Sequence, residues 1–327
     1  MKLTRQVRPG SSKLTNCTVC EGTNIHFSFF KNEYGILNCR DCDHLFTDLI
    51  MTPQKVNEIY SDDYFFGGGD GYDDYTLQGK MLTGRGEYYA DKLGSYMVPG
   101  KVLDIGSAAG FLLKGFENKG WQGTGIEPNA SMAEYGRTVV GLDIKKGTLV
   151  SVKLNDKYDL IIVIQVIGHI DNLKNSIDQM SGYLKPGGHI LIETWNKDSI
   201  TAKIFGKSWH EFSPPSTLNY FSKKSLKEVM RQQNFSLVGQ GTPKKKINSG
   251  HARSFIKHKL RDSKKLRWMA GITSLIPGNV NLPYPSEDLF WYLFKKNQAK
   301  RYFSELEGYD IALEEKKVVS TYKKMPN

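Results

Sequence analysis

No stretch of this 327-residue chain is apolar for long enough to cross a bilayer as a helix. The longest nearly apolar run, LIIVIQVIGHI at 160–170, is about half of the roughly 20 residues that such a helix requires. The opening MKLTRQVRPGSSK is basic but has no apolar core of the kind a signal peptide needs, so a cytoplasmic location is the expectation. Internal repeats are absent, and with them the solenoids and propellers. Basic side chains are missing from 56–79, where Glu58, Asp62, Asp63, Asp70, Asp73 and Asp74 fall. The reverse holds in 244–267, where ten Lys or Arg stand against Asp262 alone, so the formal charge of +11 is concentrated late in the chain. A run such as KKKINSGHARSFIKHKLRDSKKLRW, 244–268, either meets an anionic partner (phosphates on a nucleotide-linked sugar, RNA or a membrane face) or is a solvated helix face. The aromatic signature of the common single-strand RNA readers is lacking.

Cysteine is the scarcest informative residue. The four are Cys17, Cys20, Cys39 and Cys42, in CTVC and CRDC. Two C-x2-C knuckles at this separation match a zinc ribbon, in which four thiolates surround one tetrahedral ion. Two disulfides are the alternative, disfavoured in a reducing compartment. Four thiolates leave no coordination position for water, so a zinc ion here would be structural. His26 and His44 are read as loop residues.

From residue 101 strand and helix patterns alternate, as in a doubly wound α/β sheet. KVLDIG, WQGTGIEP, LDIKKG, the almost wholly apolar YDLIIVIQV, HILIETW, FSLVGQG and DLFWYLFKK read as seven strands. Helices are expected over AGFLLKGFENKG, ASMAEYGRTVV, 171–184 and SKKSLKEVMRQQ, the last introduced by Ser222, while LKPGG reads as a turn. The 46 or so residues between the sixth and seventh strands exceed a plain connection, so an insertion is expected there.

In such sheets ligands bind beyond the carboxyl ends of the central strands. VLDIGSAAG places Asp104 at the end of a strand and Gly106 and Gly110 around the turn that follows. Where a dinucleotide site would read G-x-G-x-x-G, this frame has Gly106, Ala108 and Phe111, so the pyrophosphate fingerprint fails. A ligand with an adenosine at one end and an amino acid at the other suits the turn better. Glu127, 21 residues after Gly106, falls where a carboxylate accepts hydrogen bonds from both ribose hydroxyls, and Asp104 can hold an ammonium directly or through water.

VLDIGSAAG, GIEPN, YDLIIVIQVIGHIDN and LKPGGHILIE together resemble the class I S-adenosylmethionine-dependent methyltransferases, over roughly 100–240 and the last strand. With its cysteine ribbon and aromatic, glycine-rich segment, the chain is similar to a subgroup found with sugar, polysaccharide and secondary-metabolite pathways. The resemblance implies a seven-stranded Rossmann-like sheet. It implies contacts to S-adenosylmethionine from Asp104, Gly106, Ser107, Ala108, Gly110, Glu127 and Pro128, with Gly147, Thr148, Leu149 and Gln165 near the adenine or methionine part. The family commonly has a third glycine where this chain has Ala108, a Glu-His pair where it has Gly168 and His169, and a histidine where it has Thr217.

His169, after the fourth strand, is the candidate base, since an imidazole titrates near neutrality. YSDDYFFGGGDGYDDY, 60–75, reads as a lid whose aromatics, Tyr72 and Tyr75 among them, shield the sulfonium, or as a surface connection packed on the core. His210 and Tyr220 are candidates for the acceptor pocket. The layout expected is a ribbon over 1–50, the lid segment over 51–98, a catalytic core over 99–243, a basic insertion over 244–287, and the last strand and tail over 288–327. The activity expected is methyl transfer to a small-molecule or carbohydrate-linked acceptor at oxygen or carbon. The alternatives are an RNA methyltransferase and a binding module without turnover.

Overall fold

The computed structural model describes residues 14–67, 74–243, 245–248, 281–284 and 286–297, with the backbone alone for 245–248 and 281–284. The chain divides into Met1–Lys296 and Asn297–Asn327, and every element below belongs to the first unit. The basic run expected to meet anions lies almost entirely outside the described residues, as does Tyr72.

The N-terminal part forms three antiparallel strands, β1 (Ile25–Lys31), β2 (Tyr34–Cys39) and β3 (Leu45–Thr47). Three helices follow, α1 (Pro53–Ile59), α2 (Asp62–Phe66) and α3 (Gly79–Leu93), with a 3-10 turn at Tyr75–Gln78. Then strands and helices alternate: β4 (Lys101–Ile105), α4 (Phe111–Glu117), β5 (Gln122–Glu127), α5 (Ala130–Tyr135), β6 (Asp143–Lys146), β7 (Tyr158–Ile164), α6 (Leu173–Tyr183) and β8 (Leu184–Trp195). The remainder comprises α7 (Ile200–Phe205), β9 (Asn219–Tyr220), α8 (Lys223–Gln232), β10 (Phe235–Gly241), β11 (Lys245–Asn248), β12 (Asn281–Tyr284) and β13 (Leu289–Lys296).

Seven strands form the main sheet in the order β10-β13-β8-β7-β4-β5-β6. The five from β8 to β6 are parallel, and β13 runs antiparallel to both of its neighbours. This is the Rossmann-like arrangement expected from the alternating pattern, with an insertion before the last strand. Alternation along the apolar strands divides the core in two. Leu103, Ile161, Val163, Ile190 and Ile192 face α6 and α8, whereas Val102, Leu160, Ile162 and Leu191 face α3 and α4. Ser222 caps α8 as read: its hydroxyl accepts from the Ser225 N–H, and the Ser225 hydroxyl accepts from the Ser222 N–H. LKPGG corrects the reading as a turn. It is the start of β8, and the register against β7 slips between Tyr158 and Leu160, so the two glycines absorb an irregularity inside a strand.

β3 also pairs with β9, which makes a second sheet in the order β1-β2-β3-β9. The cysteine-bearing segment is thereby sewn to the element that precedes α8, and Cys17, Val19, Leu37 and Phe46 share one buried cluster with Ile167 and Phe221.

Candidate active site

β4 is where the strand order reverses, with β5 on one side and β7 on the other, and a cavity of about 710 Å³ opens beyond their carboxyl ends. Ile105 ends β4, and the chain turns through Gly106 (φ +71°), Ala108 (φ +47°) and Gly110 (φ +78°) into α4. Glycine is required at 106, because a Cβ there would come within 2.8 Å of Val166 Cγ2 as well as meeting the left-handed backbone. Ala108 accepts its left-handed conformation where the related pattern has glycine.

Four N–H groups of this turn are already committed. Those of Gly106 and Ser107 donate to the Ile126 carbonyl, that of Gly110 to the Ser107 carbonyl, and that of Ala108 to Glu127 Oε2 at 2.8 Å. A phosphate cradle needs free N–H donors. Here those of Gly106, Ser107, Ala108 and Gly110 are spent, which gives the failed pyrophosphate fingerprint its physical basis.

Glu127 ends β5 with only 3% of its surface exposed. Its second oxygen, Oε1, accepts from the Asn129 N–H at 2.8 Å. Each oxygen retains an unused lone pair. Burial pushes the Glu127 carboxyl up to about 7, against the lowering effect of those two N–H groups. Asp104, 4% exposed, is pushed well above the usual carboxylate range by burial and secondarily by Glu127. Both buried acids face one cavity, which Arg85 and Lys146 also line.

Of the residues singled out from the sequence, Asp104, Gly106, Ser107, Ala108, Glu127, Pro128, Gly147, Thr148, Leu149, Gln165, Tyr75 and His169 all line this cavity. Gly110 does not. A Cβ there would meet Leu142 Cδ1 at 2.5 Å and Ile144 Cδ1 at 2.8 Å, so its small size serves the packing of α4 behind the turn. Ser107 contributes differently from its neighbours: its hydroxyl lies over Gly125, where a Cβ would come within 2.5 Å of it, and has no hydrogen-bond partner among the described residues.

His169 closes a 3-10 turn, Ile167–His169, after β7. Its Nδ1 lies 2.6 Å from the Ser216 carbonyl, which can only accept, so Nδ1 carries the proton and Nε2 of the neutral ring is left with a lone pair. Burial lowers its affinity for a second proton, although the Ser216 and Gln165 carbonyls act in the opposite direction. The missing partner at 168 is also explained in part, since a Cβ on Gly168 would lie 3.1 Å from the Asn219 carbonyl. Thr217 is buried against Ser213, their hydroxyls 3.1 Å apart. Tyr220 is a core residue, bonded to the Thr217 carbonyl at 3.0 Å, and His210 stacks edge-on against Trp195 away from the cavity.

The aromatic segment forms one wall. Tyr60, Tyr64, Phe65 and Tyr75 line the cavity, Tyr75 packing between Phe65 and Phe111. Asn129 Nδ2 and the Ser131 hydroxyl tether this wall to α5 by donating to the Asp62 carboxylate, and Asn129 Nδ2 also donates to the Tyr60 carbonyl at 3.0 Å. One feature escaped the sequence reading altogether. Glu193, fully buried on β8, accepts from Arg85 and Tyr89 of α3 and, at 3.1 Å, from Gln165 Nε2. Arg85 and Gln165 both line the cavity. Nothing in the spacing of residues 108 apart along the chain could have signalled this group.

The four cysteines converge, their sulfurs all within 4.8 Å of one another. The pairs Cys17–Cys42 and Cys20–Cys39 are 3.5 Å apart. Sulfurs on a tetrahedron around zinc, with bonds of about 2.3 Å, lie roughly 3.8 Å apart. A disulfide needs about 2.05 Å. The set therefore fits a single tetrahedral ion. Burial pushes the Cys20 thiol up to about 11, a cost that a bound cation would remove.

These features define a Rossmann-like domain of the class I S-adenosylmethionine-dependent methyltransferase type, carrying an N-terminal four-cysteine cluster. Residues 83–240 match the family model Methyltransf_23, described as a methyltransferase domain, and this segment is a domain of that family. Among curated proteins, the ubiquinone biosynthesis O-methyltransferase of Bradyrhizobium sp. (strain ORS 278) is 28% identical over 118 residues, which cover 33% of this chain and 46% of that protein. The protein of the same name from Nitrobacter winogradskyi is 27% identical over 103 residues, 30% of this chain and 40% of its own length. The chain thus spans less than half the length of these relatives. Among solved structures, the magnesium protoporphyrin IX methyltransferase of Synechocystis PCC 6803 aligns with a TM-score of 0.48 at 12% identity, covering 75% of this chain and 100% of that one. A Thermotoga maritima protein described as a possible histamine N-methyltransferase aligns with a TM-score of 0.45 at 17% identity, covering 68% and 95%.

Proposed function

We propose that the chain transfers a methyl group from S-adenosylmethionine to the oxygen or carbon of a small-molecule or carbohydrate-linked acceptor. The observation that carries this reading is the pair of buried carboxylates, Asp104 and Glu127, beside a glycine turn in which the N–H groups of Gly106, Ser107, Ala108 and Gly110 are spent. A site so built suits a ligand that brings positive charge and hydroxyl donors and no phosphate. When bound, the donor supplies an electrophilic methyl on a sulfonium.

In this reading the unused lone pairs of Glu127 accept the ribose hydroxyls, and Asp104 faces the amino-acid ammonium. Thr148 and Leu149 border the adenine, and Gln165, held by Glu193, borders the methionine end. Tyr60, Tyr64 and Tyr75 exclude water and offer ring faces to the sulfonium. Methyl transfer is an in-line displacement, so most of the acceleration comes from holding the two partners in line. His169 Nε2 removes the proton where the acceptor must lose one. Cys17, Cys20, Cys39 and Cys42 hold a structural Zn2+.

The test is transfer of a labelled methyl group to a panel of hydroxylated small molecules and sugar nucleotides. We expect Glu127→Ala to reduce transfer at least about a hundredfold, since two charge-assisted hydrogen bonds are lost. His169→Ala should lower kcat by about 10²- to 10⁴-fold with donor affinity unchanged. Undiminished transfer by the Glu127 variant would refute the donor site, and turnover of no compound despite tight donor binding would favour a binding module.

A further inference from the structure

The described surface of the ribbon hides a connection to the cavity. Asn219, on β9, is 3% exposed and lies where three parts of the chain meet. Its Nδ2 donates to the Ile170 carbonyl at 2.6 Å, which fixes the orientation of the amide. Its Oδ1 then faces the ribbon and accepts from the Thr18 hydroxyl at 2.8 Å and from His44 Nε2 at 3.2 Å. Thr18 lies inside the first cysteine knuckle and His44 lies two residues after the last cysteine of the second. Ile170 lines the cavity and is next to His169.

The backbone repeats the connection. The Thr47 N–H donates to the Leu218 carbonyl, and the Leu218 N–H donates to the Gly168 carbonyl, both at 2.8 Å. The loop at 213–217 is gripped from the same side. Asn32 Nδ2 donates to the Pro214 carbonyl at 3.1 Å, and the Thr47 hydroxyl to the Thr217 carbonyl at 2.9 Å. Ser216 of that loop is the residue that holds His169 Nδ1. These ribbon contacts converge on the 168–170 segment and on the loop that orients it, while the ion pairs Glu21–Lys174 and Asp43–Lys197 tie the ribbon elsewhere. The glycine turn and Glu127, by contrast, are braced by β5 and α5.

We propose that Asn219 is a positioning residue that hangs the His169–Ile170 end of the cavity from the four-cysteine cluster, so that an intact ribbon sets the acceptor end while the donor end stands independently of it. This rests on the assignment of the two ends made above. An amide holding one carbonyl on one side and two donors on the other transmits the position of both knuckles, because a displacement of either leaves a buried polar group without its partner. Loss of the ion, or oxidation of the thiols, is then felt first at residues 168–170 and not at the glycine turn.

The experiment uses the full zinc-loaded chain and S-adenosylhomocysteine as probe. Amide hydrogen exchange is followed at 168–171 and at 106–110 in the wild type, Asn219→Ala and Thr18→Val, and in wild type after zinc is removed with a chelator. In Asn219→Ala, exchange at 168–171 should rise about ten- to a hundredfold. Exchange at 106–110 and the Kd for the probe should stay within about twofold, and the His169 ring N–H resonance should shift because its hold by Ser216 loosens. Thr18→Val, which keeps the bond to Ile170, should give a smaller rise at the same amides, and metal removal should give a rise there before any at the turn. Unchanged exchange at 168–171, or an equal rise at both ends, overturns the proposal. If Asn219→Ala does not fold, the Thr18→Val and metal-removal arms decide by the same criterion. Failure of the wild type to bind the probe would instead refute the donor site, and the exchange comparison would still report on the coupling.

Discussion

Glu127 carries the clearest consequence at the scale of a single residue. Its carboxyl is pushed up to about 7, above its value of 4.5 in an unfolded chain. A raised carboxyl stabilises the fold below the unfolded value and loses that contribution as pH rises through the folded one. The ligand-free protein should therefore lose stability from this group between about pH 4.5 and 7. Bound S-adenosylhomocysteine favours the ionised form through its hydroxyls and ammonium, so its affinity should increase from pH 6 to 8 and binding should release a proton. Calorimetry in buffers of different ionisation enthalpy checks this, and a flat pH profile would contradict it. Asp104, which faces the same cavity and is also raised, adds to the effect in the same direction. Gly110 gives a prediction of a different kind. Because it lies behind the turn and not in the cavity, Gly110→Ala should cost about 1–3 kcal/mol of stability through its φ of +78° and the clash with Leu142. Probe affinity per folded molecule should be retained, which a comparison of melting and binding would show.

At the scale of elements, the ribbon behaves as part of the enzyme's frame. Its third strand shares a sheet with β9, and its apolar residues join the cluster beneath α6 and α8. Chelation of the metal, or Cys39→Ser, should therefore lower the melting temperature of the whole domain by several degrees, with loss of the bound ion measured by a colorimetric zinc assay. A separate, earlier transition confined to the ribbon would show that the two sheets unfold independently. Elements set by local chemistry were legible from the residues: the capping serine of α8, the apolar β7 and the turn after β4 all appear where their patterns place them. LKPGG was not. Proline and glycine signal a turn locally, and the pairing of Leu184 with Tyr158 and of His189 with Leu160 on β7, at either end of the stretch, carries it into a strand.

For the molecule as a whole, the alternation of apolar strands with amphipathic helices was enough to define the sheet, because both periods are properties of consecutive residues. The C-x2-C pairs likewise declared the cysteine cluster, since the ligand spacing of a knuckle is local. The sites on β4 and β5 were readable for the same reason: the residues that shape them follow directly from the ends of two strands. What depended on distant contacts was decided only by the fold. Nothing along the chain brings Glu193 to Arg85, sets Gly110 behind the turn, or hangs Ile170 from Thr18 through Asn219. Those positions arise where separate elements pack, and a hydrogen bond between residues a hundred or more apart leaves no period in the sequence to be read.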